Sequence, residues 1–123
     1  MNKSQNIYLT IVTESQTSEM KAKKLSELLQ TELGDNWEII TIAKYHKFES
    51  AYKIELKTII VENHQERINH YAIILADKLA SPWLIYFDKD DNSIELIFNK
   101  NKNSRFGKSD FDMIKWGHFQ ITK

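Results

Sequence analysis

The sequence predicts an α+β protein in which helices cover one face of a mainly antiparallel sheet. Two segments carry apolar residues at helical spacing, and the segments around them are β-branched or alternate with a period of two. In residues 82–100, two short apolar runs flank the polar cluster 88–92 and predict a β-hairpin. The predicted order is β-α-β-β-α-β-β plus a short C-terminal helix and, if the alternation of 118–122 is a strand, one more strand. This order is related to the ferredoxin-like split βαβ arrangement.

The first strand and the first helix are predicted from local patterns. Residues 6–13 are rich in β-branched side chains, as strands are. Thr17 or Ser18 is placed to cap the helix that follows, and Gly34 is placed to end it. The buried face of this helix is predicted from the apolar residues that recur every three or four positions: Ala22, Leu25, Leu28, Leu29 and Leu33.

The second and third strands are predicted over residues 37–44 and 52–60. A helix competes at 52–60, because several apolar residues there also fit a period of 3.6. The alternation of apolar and charged residues and the β-branched run 59–61 favour the strand.

The second helix is predicted to begin within residues 63–66, where the pattern resembles a capping box with Glu66 at the third helical position. Ser81-Pro82 is predicted to end it. Its buried face is predicted from Ile68, Tyr71, Ala72, Leu75 and Leu79.

The hairpin is predicted to lie in the centre of the sheet, because both of its faces carry apolar residues. One face is predicted to pack against the helices: Trp83, Ile85, Phe87, Ile94, Leu96 and Phe98. The other face carries Leu84, Tyr86 and Ile97. A polar loop is then predicted over 99–108, a short helix over 110–116 that Gly117 ends, and the last alternating segment over 118–122.

Composition excludes several classes of function. The chain has 17 basic and 17 acidic residues, so no overall field attracts nucleic acid or an anionic membrane, although a local patch fits this balance. It has no cysteine, which excludes disulfides, thiolate ligands and Cys nucleophiles and fits a reducing compartment. No apolar run has the length of a signal peptide or a membrane span. We expect one soluble cytoplasmic domain over 1–123.

No metal or cofactor is expected. The cluster 88–92 begins like a calcium loop, but Ser93 stands where the sharp turn needs Gly and Asn99 where the loop needs Glu, so we interpret it as a hairpin turn. His64 and His70 are six residues apart on one predicted helix and therefore lie on different faces.

An enzyme would have to use His118 with Asp110 or Asp112 as an acid-base dyad. No nucleophile elbow, phosphate-binding loop or dinucleotide fingerprint occurs in the sequence. We therefore expect a protein that is not an enzyme.

Surface residues offer two candidate partner-binding groups. Acidic residues at the start of the second helix and around the hairpin turn would suit a basic partner: Glu62, Glu66, Asp88, Asp90, Asp91 and Glu95. Tyr45, Phe48 and Tyr52 are candidate aromatic anchors, or alternatively close one end of the core.

Three segments resemble the C-terminal part of small immunity proteins: L-A-S-P-W-L-I-Y-F-D, I-E-L-I-F-N-K-N-K-N-S-R-F and M-I-K-W-G-H-F-Q-I. These proteins belong to bacterial contact-dependent growth inhibition and related polymorphic toxin systems. The resemblance covers the last third of the chain and assigns no functional residue. It implies a cytoplasmic protein that binds a cognate toxin domain, often a nuclease, and neutralises it by stoichiometric binding. The neutral charge departs from the acidic balance of an inhibitor that mimics nucleic acid.

An alternative of a different class is a ferredoxin-like regulatory or ligand-binding module. Such a module would dimerise through the open sheet face that contains Leu84, Tyr86 and Ile97. Neither reading implies a nucleic-acid or membrane partner.

Overall fold

The computed structural model describes residues 4–15 and 18–122. These residues form eight strands, two α-helices and one 3₁₀ helix, in the order β1 (Ser4–Thr13), α1 (Glu19–Leu33), β2 (Glu38–Lys44), β3 (Tyr52–Val61), α2 (Gln65–Leu79), β4 (Ala80–Ser81), β5 (Leu84–Phe87), β6 (Ile94–Asn99), β7 (Arg105–Phe106), the 3₁₀ helix (Ser109–Met113) and β8 (Ile114–Thr122). The predicted α+β class is confirmed.

Six of the strands form one antiparallel sheet in the order β2-β3-β1-β8-β6-β5, and β4 pairs with β7 in a separate two-stranded ribbon. Helices α1 and α2 pack on one face of the sheet. The side chains on that face are buried along β1, β3, β8 and β6, and they include Leu9, Leu56, Phe119 and Leu96, which lie in register across the sheet. The core is therefore the layer between the sheet and the helices.

Both predicted helices exist, and their starts differ from each other. Ser18 caps α1, because its Oγ accepts a hydrogen bond from the backbone N–H of Lys21 at 3.2 Å. Thr17, the other predicted cap, lies outside the described residues. The capping box predicted for α2 is wrong, because its N-cap is His64, whose side chain makes no capping bond. The carboxylate of Glu62 accepts a hydrogen bond from the His64 backbone N–H at 3.2 Å, and the helix starts one residue later than predicted.

The predicted buried faces of the helices are largely confirmed. Leu28 departs from the prediction because it is 37% exposed at the margin of the α1 face, while the other four predicted residues of that helix are buried. On α2, Tyr71 is partly buried and its hydroxyl accepts a hydrogen bond from the Trp37 indole at 3.2 Å.

The predicted central position of the hairpin is wrong. Its second strand, β6, is next to last in the sheet, and its first strand, β5, is the edge strand. The place beside β1, which the strand after the second helix takes in a split βαβ arrangement, is occupied by β8 from the end of the described chain. Apolar residues on both faces of β5 therefore reflect exposure at an edge and not burial at the centre.

The short helix predicted over 110–116 is confirmed only in its first part, as a 3₁₀ helix that ends before the strand β8. The 3₁₀ helix ends at Met113, and β8 begins at Ile114, so the further strand is longer than the alternation of 118–122 predicts. Gly117 does not end a helix, because it lies within β8 under the indole of Trp83. A Cβ there would come within 2.7 Å of the Trp83 ring, and this close contact explains the glycine.

Candidate functional site

The edge strand β5 is a run of four successive exposed apolar residues. All four of its residues are more than half exposed: Leu84 57%, Ile85 54%, Tyr86 53% and Phe87 60%. The strand pairs with β6 on one side, and no strand of the described chain pairs with its other side. The outer row of backbone N–H and C=O groups is therefore free to accept another strand.

The strand is held in place by the residue that precedes it. The indole N–H of Trp83 donates to the carbonyls of Ala76 at 3.0 Å and Ala80 at 2.7 Å, at the end of α2. Its ring also contacts Phe98 and Phe119, with centroids 5.5 and 5.3 Å apart. Trp83 thus anchors the start of the exposed strand to both the helix and the core.

The hairpin turn beyond β5 is acidic and ordered by its own side chains. The Asp88 carboxylate accepts a hydrogen bond from the Asp90 backbone N–H at 2.8 Å, and the Asp91 carboxylate accepts from the Ser93 backbone N–H at 2.9 Å. These are the local bonds that aspartates make in turns. They give Asp88 and Asp91 a structural role, while the exposed Asp90 side chain projects from the turn.

The start of α2 brings further acidic residues to the same end of the sheet. Glu62 lies 3.7 Å from the Arg67 guanidinium, and the largely exposed Glu66 lies 3.9 Å from the His64 imidazole. A chain of side-chain amides links the two regions. Gln65 donates to Asn69 at 3.0 Å, and Asn69 donates to the carbonyl of Asn92 in the hairpin turn at 2.8 Å.

Among the six predicted acidic residues, Glu95 lies on the open face of the sheet. Its carboxylate is 3.5 Å from Nε2 of His118 on the neighbouring strand. Tyr86 is the cross-strand partner of Glu95 on the other side. The structure thus brings all six predicted acidic residues to the end of the sheet that includes the β5 edge and its turn.

The predicted aromatic anchors lie at the opposite end of the sheet. Tyr45 and Phe48 are in the loop between β2 and β3, with ring centroids 5.8 Å apart, and Tyr52 begins β3. The ten-residue strand β3 separates this end from the acidic end, a span of about 30 Å. The two predicted groups are therefore not parts of one contact surface.

The dyad considered for an enzyme is not brought together. The carboxylate next to His118 is Glu95, whereas Asp110 and Asp112 line a shallow groove against α1 with Lys21 and Lys24. Among residues 4–15 and 18–122, no three His, Asp or Glu side chains converge as a metal site would require. In the turn at 88–92, one carboxylate oxygen of Asp88 and one of Asp91 accept hydrogen bonds from backbone N–H groups of that turn.

Sequence reasoning missed two features. It recognised the apolar residues of β5 but did not expect their exposure, because exposure depends on which strand lies beside β1. It also missed that Lys47, Lys100 and Lys115 gather around the aromatic loop. A repeated pairing of lysines with aromatics in 44–48 and 115–116 is the only local signal of that second feature.

The fold and the site together define an α+β domain with one exposed, apolar sheet edge next to an acidic turn. Comparisons with protein-family models, curated proteins and solved structures found no match to this chain. No helix in the described part of the chain has the length and apolar content to cross a membrane.

Proposed function

We propose that this chain is a protein-binding domain that neutralises a cognate toxin domain by stoichiometric binding, as an immunity protein does. The observation that carries the proposal is the edge strand β5, where four successive apolar side chains are each more than half exposed. Contiguous exposed apolar surface is typical of protein interaction sites. An unpaired edge adds the backbone groups that bind an extended segment of a partner.

The charges around the edge indicate the kind of partner segment. A groove of about 530 Å³ lies beside the end of β5, and its lining includes Tyr86, Phe87, three acidic residues of the turn and β6, and one lysine, Lys89. The apolar side chains would contact the partner's own strand, while the exposed Asp90 would orient basic residues next to it. The expected partner segment is therefore extended, apolar at alternate positions and basic at one end.

Such binding neutralises a toxin without turnover. A strand added to β5 is fixed along its whole length by main-chain hydrogen bonds, so a bound toxin loop is held in one conformation. The rest of this domain then lies against the toxin and blocks its active site or its substrate path. The resemblance of the last third of the chain to immunity proteins supplies the class of partner.

The alternative of a module that dimerises through the open sheet face has less support. Leu84 and Tyr86 are exposed on that face, but the neighbouring strands carry polar or charged residues there. Examples in register are Glu55, Thr10 and His118, which lie in one row across the sheet with Ile97 and Leu84. Two further apolar residues of that face, Ile59 and Val61, are exposed on β3, and three strands separate them from β5, so they form no continuous apolar surface with it.

Co-expression with a candidate toxin domain, taken from a neighbouring reading frame that encodes a large secreted protein, tests the function. We expect cells that produce both proteins to survive and a 1:1 complex to elute in size-exclusion chromatography. The proposal is wrong if the toxin still kills and no complex survives the column.

A matched pair of variants tests the edge. Leu84→Lys places a charge on β5, and Ile59→Lys makes the same change at an equally exposed residue of the interior strand β3. Loss of a buried apolar contact at the centre of an interface costs about 2 kcal/mol or more, so Leu84→Lys should weaken binding at least ~30-fold. Ile59→Lys should leave the Kd within about twofold. Equal effects of the two variants in calorimetry would place the contact elsewhere.

A further inference from the structure

The end of the sheet opposite to the acidic turn contains a cleft of about 320 Å³. Three lysines line it, Lys47, Lys100 and Lys115, and no aspartate or glutamate is among the lining residues. Three aromatic side chains, Tyr45, Phe48 and Trp116, form much of the remaining wall. Positive charge and aromatic rings thus occur together in one concave site.

A β-bulge creates this combination. Val12 pairs with Trp116, but Thr13 pairs with Ile114, so Lys115 is an extra residue of β8. A bulge redirects side chains relative to the regular alternation of a strand. Here Lys115 and Trp116 both line the cleft, although a regular strand would direct them to opposite faces. The Lys115 ammonium lies 3.8 Å from the centroid of the Phe48 ring.

The three lysines differ in whether a carboxylate of the chain already neutralises their charge. Lys100 forms an ion pair with Glu14 and donates to the carbonyl of Asp112 at 2.6 Å. Lys47 and Lys115 have no ion pair with any residue that the structure describes. The cleft therefore carries two positive charges that no carboxylate in the described chain neutralises.

The rings and the amide in the cleft indicate what an anionic ligand would contain. The Tyr45 and Phe48 rings are 5.8 Å apart and tilted by 34°, and Trp116 is only partly buried. Exposed rings next to lysines are the combination with which proteins stack nucleobases and hold phosphates. Asn99, which also lines the cleft, offers an amide that can both donate to and accept from a base edge.

We propose that this cleft binds a nucleotide, with its phosphate at Lys47 and Lys115 and its base against the aromatic wall. The volume lies at the small end of the range for ligand pockets, about 300 to 1,000 Å³, and fits a mononucleotide. An acidic peptide side chain would use the lysines but leave the rings without a partner. The site is independent of the toxin-neutralising function, because it lies at the other end of the sheet from β5.

A ligand series on the unmodified full chain tests the proposal. Adenosine 5′-monophosphate, adenosine and inorganic phosphate are titrated separately, and the indole N–H signals are followed by NMR. Trp116 reports the cleft, while Trp37 and Trp83 pack in the core and serve as internal references. We expect the monophosphate to shift the Trp116 signal and to bind at least tenfold more tightly than adenosine or phosphate.

A pair of lysine variants identifies the phosphate contacts. The double change Lys47→Ala and Lys115→Ala should weaken binding of the monophosphate at least tenfold. The control is Lys57→Ala, which removes a lysine placed over the Tyr8 ring, 5.6 Å from its centroid, outside the cleft. This control should bind as the unmodified chain does.

Three results would overturn the nucleotide proposal. The first is an unshifted Trp116 signal at millimolar monophosphate. The second is equal affinity for adenosine and its monophosphate, since the lysines would then have no role. The third is tighter binding of a glutamate-rich peptide through the same lysines, which would make the cleft an acidic-peptide site.

Discussion

The two edges of the six-stranded sheet are built in opposite ways. At one edge, β2 contains a bulge at Ile40, begins with Glu38, ends with Lys44 and packs against α1. Each of these features hinders the addition of another strand. At the other edge, β5 has four regular pairs with β6 and carries no charge.

The difference between the two edges supports the proposal that β5 binds a partner. A single lysine in β5 would hinder the addition of another strand at this edge too. Instead, β5 is wholly apolar, and the indole of Trp83, just before the strand, is hydrogen-bonded to the end of α2. An edge that is both apolar and firmly positioned is what strand addition by a partner requires.

The largest expected effect, on the free energy of unfolding, comes from removing the side chain that anchors β5. Trp83→Ala removes two ring contacts and both indole hydrogen bonds, so the free energy of unfolding should fall by about 3–5 kcal/mol. Urea denaturation followed by circular dichroism measures this loss. Trp116→Ala is the control, because that ring lies partly exposed on the open face and should cost about 1 kcal/mol or less. Equal losses would show that Trp83 has no special role in anchoring the edge.

A smaller effect should distinguish the charges of the two edges. Reversal of the charges of the exposed residues Glu66 and Asp90 should slow association with the toxin domain about tenfold at low salt. The difference in association rate between this variant and the unmodified chain should become smaller at high salt, because exposed charges are screened.

The control reverses Asp35 and Glu38, which lie at the start of the β2 edge. Surface plasmon resonance at two ionic strengths should show no change in the association rate for this pair. A rate that responds equally to both pairs, or a rate that does not depend on salt, contradicts the placement of the contact at the β5 end.

The smallest expected effect comes from removing one of two side-chain amides that form hydrogen bonds near the edges of the sheet. Asn69 donates to the hairpin turn at 2.8 Å, and Asn36 donates to Thr58 at 3.0 Å near the start of β2. Substitution of either by Ala should lower the free energy of unfolding by about 1 kcal/mol. Only Asn69→Ala should also weaken toxin binding, since it loosens the turn beside β5. Calorimetry that finds the same binding for both variants would exclude this coupling.

Sequence patterns predicted the elements that depend on local spacing. The apolar period of α1, with Ser18 before it and Gly34 after it, determined that helix almost to the residue. The alternation in residues 52–60 correctly favoured a strand over a helix, because charged residues at every second position cannot share a buried helix face.

The arrangement of the strands could not be predicted in the same way. The position of the hairpin depends on β8, which pairs with β1 more than 100 residues earlier in the chain. Gly117 was interpreted as a helix end because its contact with Trp83 is invisible in local sequence. The lysine and aromatic cleft depends on a one-residue bulge at Lys115, and no periodicity reports such a shift.

The insertion of β8 between β1 and β6 also constrains how the chain is made. While a ribosome synthesises the protein, β1, β3 and the hairpin emerge before the strand that joins them. Until β8 is synthesised, β1 and β6 lack the strand that lies between them, and each has an unpaired edge. The six-stranded sheet can therefore close only once residues 114–122 are available to pair with both β1 and β6.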